Sequence, residues 1–342
     1  MENLKNKILI VQTAFIGDVI LTIPLVKSIK KYFKESKIYF LLKPDSLNLL
    51  EGIPEISELI TYDKKTKEKG IKPFIKIIKK IKSEKFDTAV IPHRSFRSAL
   101  ICKLAGIPER IGFDTSAGAF LLTEKVPYKK NVHEIDRNLS LLSAFGIIEK
   151  GSIPEISVSP EDKSFIDEKF NKLKITETEN FVTIAPGSEW NTKRWLLEGY
   201  VSLIKLLWKK KSVPSFLIGG KKDLMICNRI QNLTGIPIVN FCGKLTLKQS
   251  GEVIRRSKVL ISNDSGAVHL AVGSGKKVVV IYGPTSPEFG FYPYGEGHTI
   301  LKENIYCSPC SIHGGKKCKE KHFKCMKNIT PERVFNAVLK YL

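Results

Sequence analysis

Short apolar segments that favour strands alternate along this chain with amphipathic segments that favour helices. In the first such unit, Lys7–Val11 predicts a buried strand, residues 19–33 predict a helix, and Lys37–Leu42 predicts the next strand. Strands that alternate with helices run parallel, because each helix returns the chain to the edge of the sheet where the next strand starts. The pattern therefore predicts an α/β protein with parallel sheets.

The alternation forms two series, and residues 148–160, rich in proline, glycine and serine, separate them. The length of 342 residues also favours two domains, since a domain commonly has about 100–200 residues. Further strands are predicted near 59–62, 88–91 and 110–113, and then near 181–185, 215–218, 238–241, 259–262 and 277–282. We predict an N-terminal domain over 1–158, a linker helix region over 159–177, a C-terminal domain over 178–326 and a C-terminal helix over 327–342.

The charge of the chain is strongly positive, with 56 Lys and Arg against 34 Asp and Glu and a net charge of +22. Such an excess favours polyanionic partners, although a lysine-rich solvated surface gives the same composition. Residues 64–85 contain ten lysines and predict a basic amphipathic helix whose outer face is either solvated or rests on anionic lipid. The apolar stripe predicted to face the core consists of Ile71, Phe74, Ile75, Ile78 and Ile81.

Neither an export signal nor a membrane span is apparent, since no segment approaches about 18 apolar residues and no cleavage pattern follows the N-terminus. We therefore predict a cytoplasmic protein whose seven cysteines stay in a reducing compartment. Four of them cluster, and their soft sulfur ligands could form a closed zinc site. Their final spacing differs from the paired CxxC of zinc ribbons, so structural thiols, reduced or disulfide-linked, are the favoured interpretation. These four are Cys307, Cys310, Cys318 and Cys325.

A polar loop follows the first strand, and it contains Asp18 where the first helix begins. Ligands of open α/β sheets bind beyond the carboxyl ends of strands, so this loop lies where a site is expected. The loop lacks GxGxxG, which argues against a dinucleotide fingerprint. Asp18 is either a helix cap or a general base.

Three further loops follow strands of the second series. In the first, Ser188 precedes Lys193 and Arg194, a pair that can hold a diphosphate at a helix start or can be an exposed basic loop. In the next, Asp223 either accepts hydrogen bonds from ribose hydroxyls or caps a helix. In the last, Ser265 and Gly266 offer backbone N–H groups to an anion. One turn later comes a histidine, His269, which is either functional or structural. Because all four loops follow strands, we predict a phosphate-and-ribose pocket and a carboxylate from the other domain.

At these residues the chain resembles glycosyltransferase family 9, the ADP-heptose:lipopolysaccharide heptosyltransferases, over nearly its whole length. The order and spacing of the matching segments carry the resemblance, and the form of two of them is closer to heptosyltransferase II. The segments are Ile16-Gly17-Asp18-Val19, Ala105–Phe113, Ala185-Pro186-Gly187, Lys193-Arg194-Trp195, Asn263-Asp264-Ser265-Gly266 with His269, and Cys307-Ser308-Pro309-Cys310.

The resemblance implies a GT-B fold, in which two Rossmann-like domains with parallel sheets face an interdomain cleft. Without it, the same pattern would also suit a two-domain dehydrogenase or a binding protein. The resemblance further implies an inverting enzyme that uses ADP-L-glycero-D-manno-heptose without a required cofactor, and it makes Asp18 the general base. The residues implied for the donor are Ser188, Lys193, Asp223, Asp264, Ser265, Gly266 and His269.

For the acceptor, the implied partner is the inner core of lipopolysaccharide, Kdo-lipid A with or without its first heptose. His93, Arg94 and Arg97 follow a first-domain strand and could meet its carboxylate or phosphate groups, or form an ordinary basic helix start. The enzyme would then be cytoplasmic, with peripheral contact to the inner membrane of a Gram-negative bacterium as an open alternative. The rivals are a GT-B enzyme with another donor or acceptor and a basic RNA-binding protein. We find no RNA-binding motif in a suitable context, so nucleic acid is not a predicted partner.

Overall fold

The computed structural model describes residues 6–63, 70–176 and 180–342 of the chain. Contacts divide it into two compact units, Met1–Pro154 and Glu155–Leu342. Part of the predicted basic segment, residues 64–69, and the predicted boundary between the linker region and the C-terminal domain, residues 177–179, lie outside the described residues.

Each unit is built on a parallel sheet of six strands among the residues described. The first sheet has the order β3-β2-β1-β4-β5-β6 and the second the order β12-β11-β10-β7-β8-β9. Both follow the Rossmann pattern, so the predicted α/β class is confirmed. The strands are β1 (Lys7–Val11), β2 (Lys37–Leu42), β3 (Glu58–Thr61), β4 (Thr88–Ile91), β5 (Glu109–Phe113), β6 (Glu124–Val126), β7 (Val182–Ala185), β8 (Ser215–Leu217), β9 (Val239–Asn240), β10 (Leu260–Asn263), β11 (Val278–Tyr282) and β12 (Thr299–Lys302).

Helices connect the strands and cover the sheets. In the first unit they are α1 (Ile16–Ile20), α2 (Ile23–Tyr32), α3 (Leu47–Leu50), α4 (Ile71–Ser83), α5 (Phe96–Leu104) and α6 (Glu134–Leu139). In the second unit they are α7 (Pro160–Lys172), α8 (Leu197–Lys211), α9 (Leu224–Thr234), α10 (Leu247–Arg256), α11 (Gly266–Gly273), α12 (Lys324–Lys327) and α13 (Pro331–Val338). Within the described part of the chain, no helix is long and apolar enough to cross a bilayer.

The central strands read as continuous apolar runs because helices bury both faces of a parallel sheet. Residues 8–11 of β1 and all five residues of β11 are buried. Two edge strands, β6 and β12, were not predicted, since their short, mixed sequences lack such a run. These two segments form strands because they pair with β5 and β11, and their own composition does not indicate it.

The single helix predicted over 19–33 is wrong, because the structure has two helices there. The chain turns between them at Leu21 and Thr22, and Pro24 lies in the first turn of α2. A proline has no N–H to continue the helical ladder and fits only a first turn. The break makes α1 a short separate helix that follows the loop after β1.

The α7 helix, in the predicted linker region, packs on α10 of the second unit. Arg256 forms an ion pair of 2.6 Å with Asp167, and the amide of Gln249 donates to Asp162 at 2.9 Å. These contacts fix α7 to the rest of the second unit.

On α4, the predicted apolar stripe is partly wrong. Ile81 is fully buried, and Phe74 and Ile78 pack against the core, but Ile71 is 73% and Ile75 45% exposed. Burial of Ile77 explains the difference, because the face that meets the sheet is rotated towards it. Two large apolar side chains therefore remain on the outer face of a lysine-rich helix.

We expect Ile81→Ala to lower the free energy of unfolding by about 2–4 kcal/mol, because it leaves a cavity in the core. The matched change Ile75→Ala should cost about 0.5 kcal/mol or less, because that side chain is already largely in water. Urea unfolding followed by circular dichroism measures both. Tryptophan fluorescence would not, because Trp190, Trp195 and Trp208 all lie in the second unit and report on that unit alone. Equal losses for the two variants would contradict this orientation of α4.

Candidate active site

The strand order reverses at one place in each sheet, between β1 and β4 and between β7 and β10. On either side of that place the connections leave towards opposite faces, which opens a crevice beyond the carboxyl ends of the two strands. The polar loops singled out in the sequence follow these strands, except for the loop with Asp223, which follows the neighbouring strand β8. A ligand site is therefore expected at these crevices.

At the first crevice, Asp18 lies in the short helix α1. Its carboxylate accepts the backbone N–H of Phe15 at 3.1 Å, and its backbone carbonyl accepts the hydroxyl of Thr22 at 2.7 Å. The carboxylate thus caps the start of the helix, which is one of the two roles that the sequence predicted for Asp18. An ionised carboxylate has about four acceptor positions, so capping does not exclude a role as a base.

The predicted acceptor residues follow β4, across the same crevice. The ring Nδ1 of His93 lies 3.1 Å from the hydroxyl of Thr13, which links the loop after β4 to the loop after β1. The guanidinium of Arg97 donates to the hydroxyl of Tyr62 at 2.9 Å, and that of Arg94 lies 4.1 Å from the ring centroid of Tyr128. Both arginines are exposed at this edge and held in place by an aromatic residue.

A buried carboxylate that the sequence did not predict lies beside Asp18. Burial raises the pKa of Glu134, at the start of α6, to about 7, and the negative charge of Asp18 raises it as well. Arg137 and Arg94 lower the pKa, and Arg137 forms an ion pair with Glu134. Arg137 also lies 4.5 Å from the ring of Tyr128, on which Arg94 stacks. No motif marks these residues, and only the fold brings them to the first crevice.

At the second crevice, a buried ion pair joins the loops after β7 and β10. The ammonium of Lys193 lies 2.6 Å from the carboxylate of Asp264, and both side chains are nearly buried. The hydroxyl of Thr285, in the loop after β11, donates to the same oxygen of Asp264 at 2.8 Å. The predicted pair of donor residues is therefore in direct contact, and Thr285 completes it.

Asn263, at the end of β10, holds these loops together. Its amide donates to the carbonyl of Pro186 at 2.8 Å, and its carbonyl oxygen accepts the backbone N–H of Trp195 at 2.9 Å. The hydroxyl of Tyr200 on α8 donates to the same oxygen at 3.0 Å. One fully buried side chain thus fixes the loop that carries Lys193 to the strand that precedes Asp264.

The remaining predicted donor residues surround this pair. Ser265 is the N-cap of α11, Gly266 is its first residue, and His269 is buried one turn later. Helix amides at such a start point away from the helix and suit an anion. Ser188 is buried in the loop after β7, where its carbonyl accepts from Arg194 at 2.9 Å.

Asp223 lies beyond β8, close to the loop after β7. Its carboxylate accepts the backbone N–H of Gly220 at 3.0 Å. An added Cβ at Gly187 would lie 2.2 Å from a carboxylate oxygen of Asp223, so only glycine allows this approach. The glycine therefore has a packing reason in addition to its place in a turn.

A basic residue that sequence analysis missed lies at the end of β12. The ammonium of Lys302 donates to the hydroxyl of Ser286 at 3.0 Å, and Ser286 follows Thr285 in the chain. Lys302 was missed because β12 itself was not predicted. It adds a second lysine to the edge where Lys193 lies.

The four clustered cysteines are free thiols, and their segment connects two loops of the second crevice. The backbone N–H of Cys310 donates to the carbonyl of Pro284 at 3.0 Å, and the N–H of Gly315 donates to the hydroxyl of Thr192 at 2.7 Å. Burial raises the pKa of Cys325 to about 11, which favours its thiol form. Among the residues that the structure describes, no group of three or more His, Cys, Asp or Glu side chains is arranged to hold a metal ion.

Comparison with known proteins gives a family for this chain. The model of glycosyltransferase family 9 (heptosyltransferase) matches residues 74–323. Lipooligosaccharide heptosyltransferase 2 of Haemophilus ducreyi is 26% identical, over 98% of this chain and 99% of that protein.

Two solved structures share the fold over nearly the whole chain. A family 9 glycosyltransferase from Veillonella parvula has a TM-score of 0.89 at 24% identity, covering 100% of this chain and 98% of that one. The ADP-heptose lps heptosyltransferase II of E. coli has a TM-score of 0.79 at 23% identity, covering 98% of each chain. The GT-B class predicted from the sequence is thereby confirmed.

We expect the free energy of unfolding of the first unit to fall as the pH rises from 5 to 8. The pKa of Glu134 is raised by folding from 4.5 to about 7, so the folded protein holds a proton that the unfolded chain has released. This contribution is full below about pH 4.5 and is lost as the pH passes about 7, and it amounts to about 3 kcal/mol. Glu134→Gln should remove that dependence in urea unfolding followed by circular dichroism.

The matched control is Glu149→Gln, because Tyr32 and Lys31 lower the pKa of this partly exposed carboxylate and it stays ionised over the same range. An unchanged slope in Glu134→Gln, or an equal change in both variants, would refute the assignment.

Proposed function

Because this chain belongs to glycosyltransferase family 9, we propose that it transfers L-glycero-D-manno-heptose from ADP-heptose to the inner core of lipopolysaccharide, with inversion at the anomeric carbon. The observation that carries the proposal is the contact between Lys193 and Asp264 beside the start of α11. It places a cation and helix amides together at a switch point, in a chain that matches a heptosyltransferase 2 over 98% of its length.

The diphosphate of the donor is held, in this proposal, by Lys193 and by the backbone N–H groups of Ser265 and Gly266. The bond to Asp264 uses one of the three N–H donors of Lys193, so the others can meet phosphate oxygens. Asp264 then orients the lysine, and Thr285 orients Asp264. Charge that develops on the leaving ADP meets donors that are already in place, which is the main electrostatic route to a fast reaction.

The other donor contacts follow from their positions around this pair. Asp223 has a carboxylate oxygen for a ribose hydroxyl, and Ser188 and His269 line the same edge. Lys302 extends the positive charge towards β12. Because these polar groups and two lysines, Lys193 and Lys302, lie at one sheet edge, a nucleoside diphosphate sugar is the ligand class that fits best.

Asp18 is the proposed general base. The acceptor hydroxyl oxygen forms a bond to the anomeric carbon as the bond from that carbon to the β-phosphate oxygen breaks. The hydroxyl proton passes to the carboxylate of Asp18, and ADP leaves on the opposite face of the sugar. The N–H of Phe15 keeps the carboxylate oriented during this step.

The acceptor is proposed to meet His93, Arg94 and Arg97. The inner core carries carboxylate groups, and guanidinium groups bind carboxylates with two parallel hydrogen bonds. Tyr128 and Tyr62 restrict the two arginines, so less side-chain entropy is lost on binding.

In this proposal no cofactor takes part in transfer, and the cysteine segment supports the loops that carry Thr192 and Pro284. The enzyme acts in the cytoplasm, on a lipid-linked acceptor at the inner membrane of a Gram-negative bacterium. Zinc content of the purified protein, measured by elemental analysis, tests the alternative that the cysteines bind metal.

We expect acceptor-dependent release of ADP when the purified protein is given ADP-heptose and Kdo-lipid A, with or without its first heptose. Asp18→Asn should lower the turnover number by about 10²–10⁴-fold, since the amide keeps the helix cap but cannot take a proton. The acceptor that supports release assigns the type of heptosyltransferase.

The matched control is Asp87→Asn. The Asp87 carboxylate also accepts backbone N–H groups, from Asn6 and Lys7 at 2.8 Å, but it lies beside the start of β1 at the opposite edge of the sheet. Full activity in Asp18→Asn would exclude Asp18 as the base. No ADP release from any acceptor by folded protein would exclude ADP-heptose and favour another sugar donor.

We expect Lys193→Met to raise the KM for ADP-heptose about 10–100-fold, because it removes a charged donor of the diphosphate and leaves Asp264 uncompensated. Lys222→Met is the control, since that lysine is 81% exposed in the loop after β8. Steady-state kinetics at fixed acceptor measures both, and thermal melting confirms the fold. Equal effects of the two substitutions would mean that only the overall charge matters.

A further inference from the structure

The outer face of α4 presents apolar side chains among lysines. Ile71 is 73% and Ile75 45% exposed, one helical turn apart. The helix carries five lysines and no acidic residue, and one of these, Lys80, pairs with Glu58. Neither the proposed transfer reaction nor the core of the first unit uses this face.

A second exposed apolar pair lies on the neighbouring elements. Phe96, the first residue of α5, is 43% exposed, and Phe120, in the short 3-10 helix Ala119–Leu121, is 73% exposed. Their ring centroids are 6.1 Å apart. Next to Phe96, the guanidinium of Arg97 lies 5.4 Å from the ring of Phe74 on α4 and joins the two helices. We call Ile71, Ile75, Phe96 and Phe120 the apolar patch.

The apolar patch lies at the edge of the sheet that carries the proposed acceptor residues. Both α4 and α5 follow strands of the parallel sheet, so their first turns lie towards the carboxyl ends of the strands. Phe96 comes three residues after His93 and two after Arg94. A surface that binds the patch is therefore presented to the acceptor residues.

The charge of α4 and α5 indicates which kind of partner surface the apolar patch binds. Along α4 and α5, which the structure describes in full, there are basic residues and no acidic ones. Interfaces with proteins are depleted in lysine at their core, whereas a helix with lysines around exposed apolar side chains is typical of contact with anionic lipid. Each basic residue near such a surface adds to binding, and the apolar side chains add selectivity for a bilayer over a soluble polyanion. Besides Lys80, which pairs with Glu58, the exposed lysines are Lys72, Lys76, Lys79 and Lys82 on α4 and Lys103 on α5.

We propose that the apolar patch and the lysines of α4 dock the first unit on an anionic phospholipid bilayer. The four apolar side chains enter the region of the headgroups, and the lysines contact lipid phosphates. The surface alone carries this proposal, and only its link to a lipid-linked acceptor rests on the proposed function. Docking would place the sugar headgroup of such an acceptor at the edge where His93 and Arg94 lie.

The test is cosedimentation of the full chain with vesicles. Wild-type protein should bind vesicles that contain phosphatidylglycerol and bind phosphatidylcholine vesicles at least about tenfold more weakly. Replacing the whole patch by serine, in I71S/I75S/F96S/F120S, should weaken binding to the anionic vesicles about tenfold or more. So should removal of charge in K72Q/K76Q/K79Q/K82Q.

Two control variants separate this surface from general stickiness and general charge. I148S/M225S/L233S removes three exposed apolar side chains elsewhere, and K205Q/K209Q/K210Q/K211Q removes four charges from α8. Both should bind anionic vesicles within about twofold of wild type, apart from weak long-range screening. Circular dichroism confirms that each variant is folded.

Equal binding to the two kinds of vesicle, absence of binding, or equal losses in the patch and control variants would each overturn the proposal. Absence of binding would also favour a protein partner for the patch.

Activity provides an independent arm of the experiment. The patch variant should lose transfer to an acceptor embedded in vesicles and keep transfer to the same acceptor after removal of its acyl chains. If no acceptor supports transfer, the proposed function fails while the vesicle result still decides the docking surface. Equal losses on the two acceptors would place the patch in the acceptor site and overturn its assignment to the bilayer.

Discussion

The reversal of strand order within each parallel sheet is the constraint on which the rest of the structure depends. Helices that leave β1 and β4, or β7 and β10, towards opposite faces cannot close over the strand ends between them. The backbone there needs polar partners, and the chain supplies them from loops far apart in sequence. Asp18 and His93 gather at one reversal for this reason, and Lys193 and Asp264 at the other.

The two crevices differ in the polar groups that they place at the strand ends. In the second unit, Asn263 satisfies backbone groups of neighbouring loops, and a full ion pair lies beside it. A buried, fully bonded network is rigid, which suits the recognition of a fixed group such as a diphosphate. The first unit instead groups two carboxylates, Asp18 and Glu134, with arginines stacked on Tyr128. Charges of both signs in close contact suit proton transfer and a charged acceptor.

Much of this arrangement was predictable from the sequence, because apolar runs mark buried strands and polar loops mark their ends. The central strands and the loops with Asp18, Lys193 and Asp264 were found in this way. The edge strand β12 was not, since its pairing with β11 rather than its own composition makes it a strand. Lys302 was missed with it. Glu134 could not be found because its burial beside Asp18 comes from tertiary packing, and the exposure of Ile71 depends on how α4 is rotated on the sheet. The residue assignments of the candidate site stay predictions.

The bond between Thr192 and Gly315 spans 123 positions of the chain. Contacts of such long sequence separation form late, because the entropy of closing a large loop must be overcome first. During synthesis on the ribosome, both sheets are complete before the cysteine segment emerges to join the loops of Thr192 and Pro284. A nascent chain would therefore fold its two sheets before the loops of Thr192 and Pro284 are joined, and the second crevice would be among the last parts of the protein to take its final form.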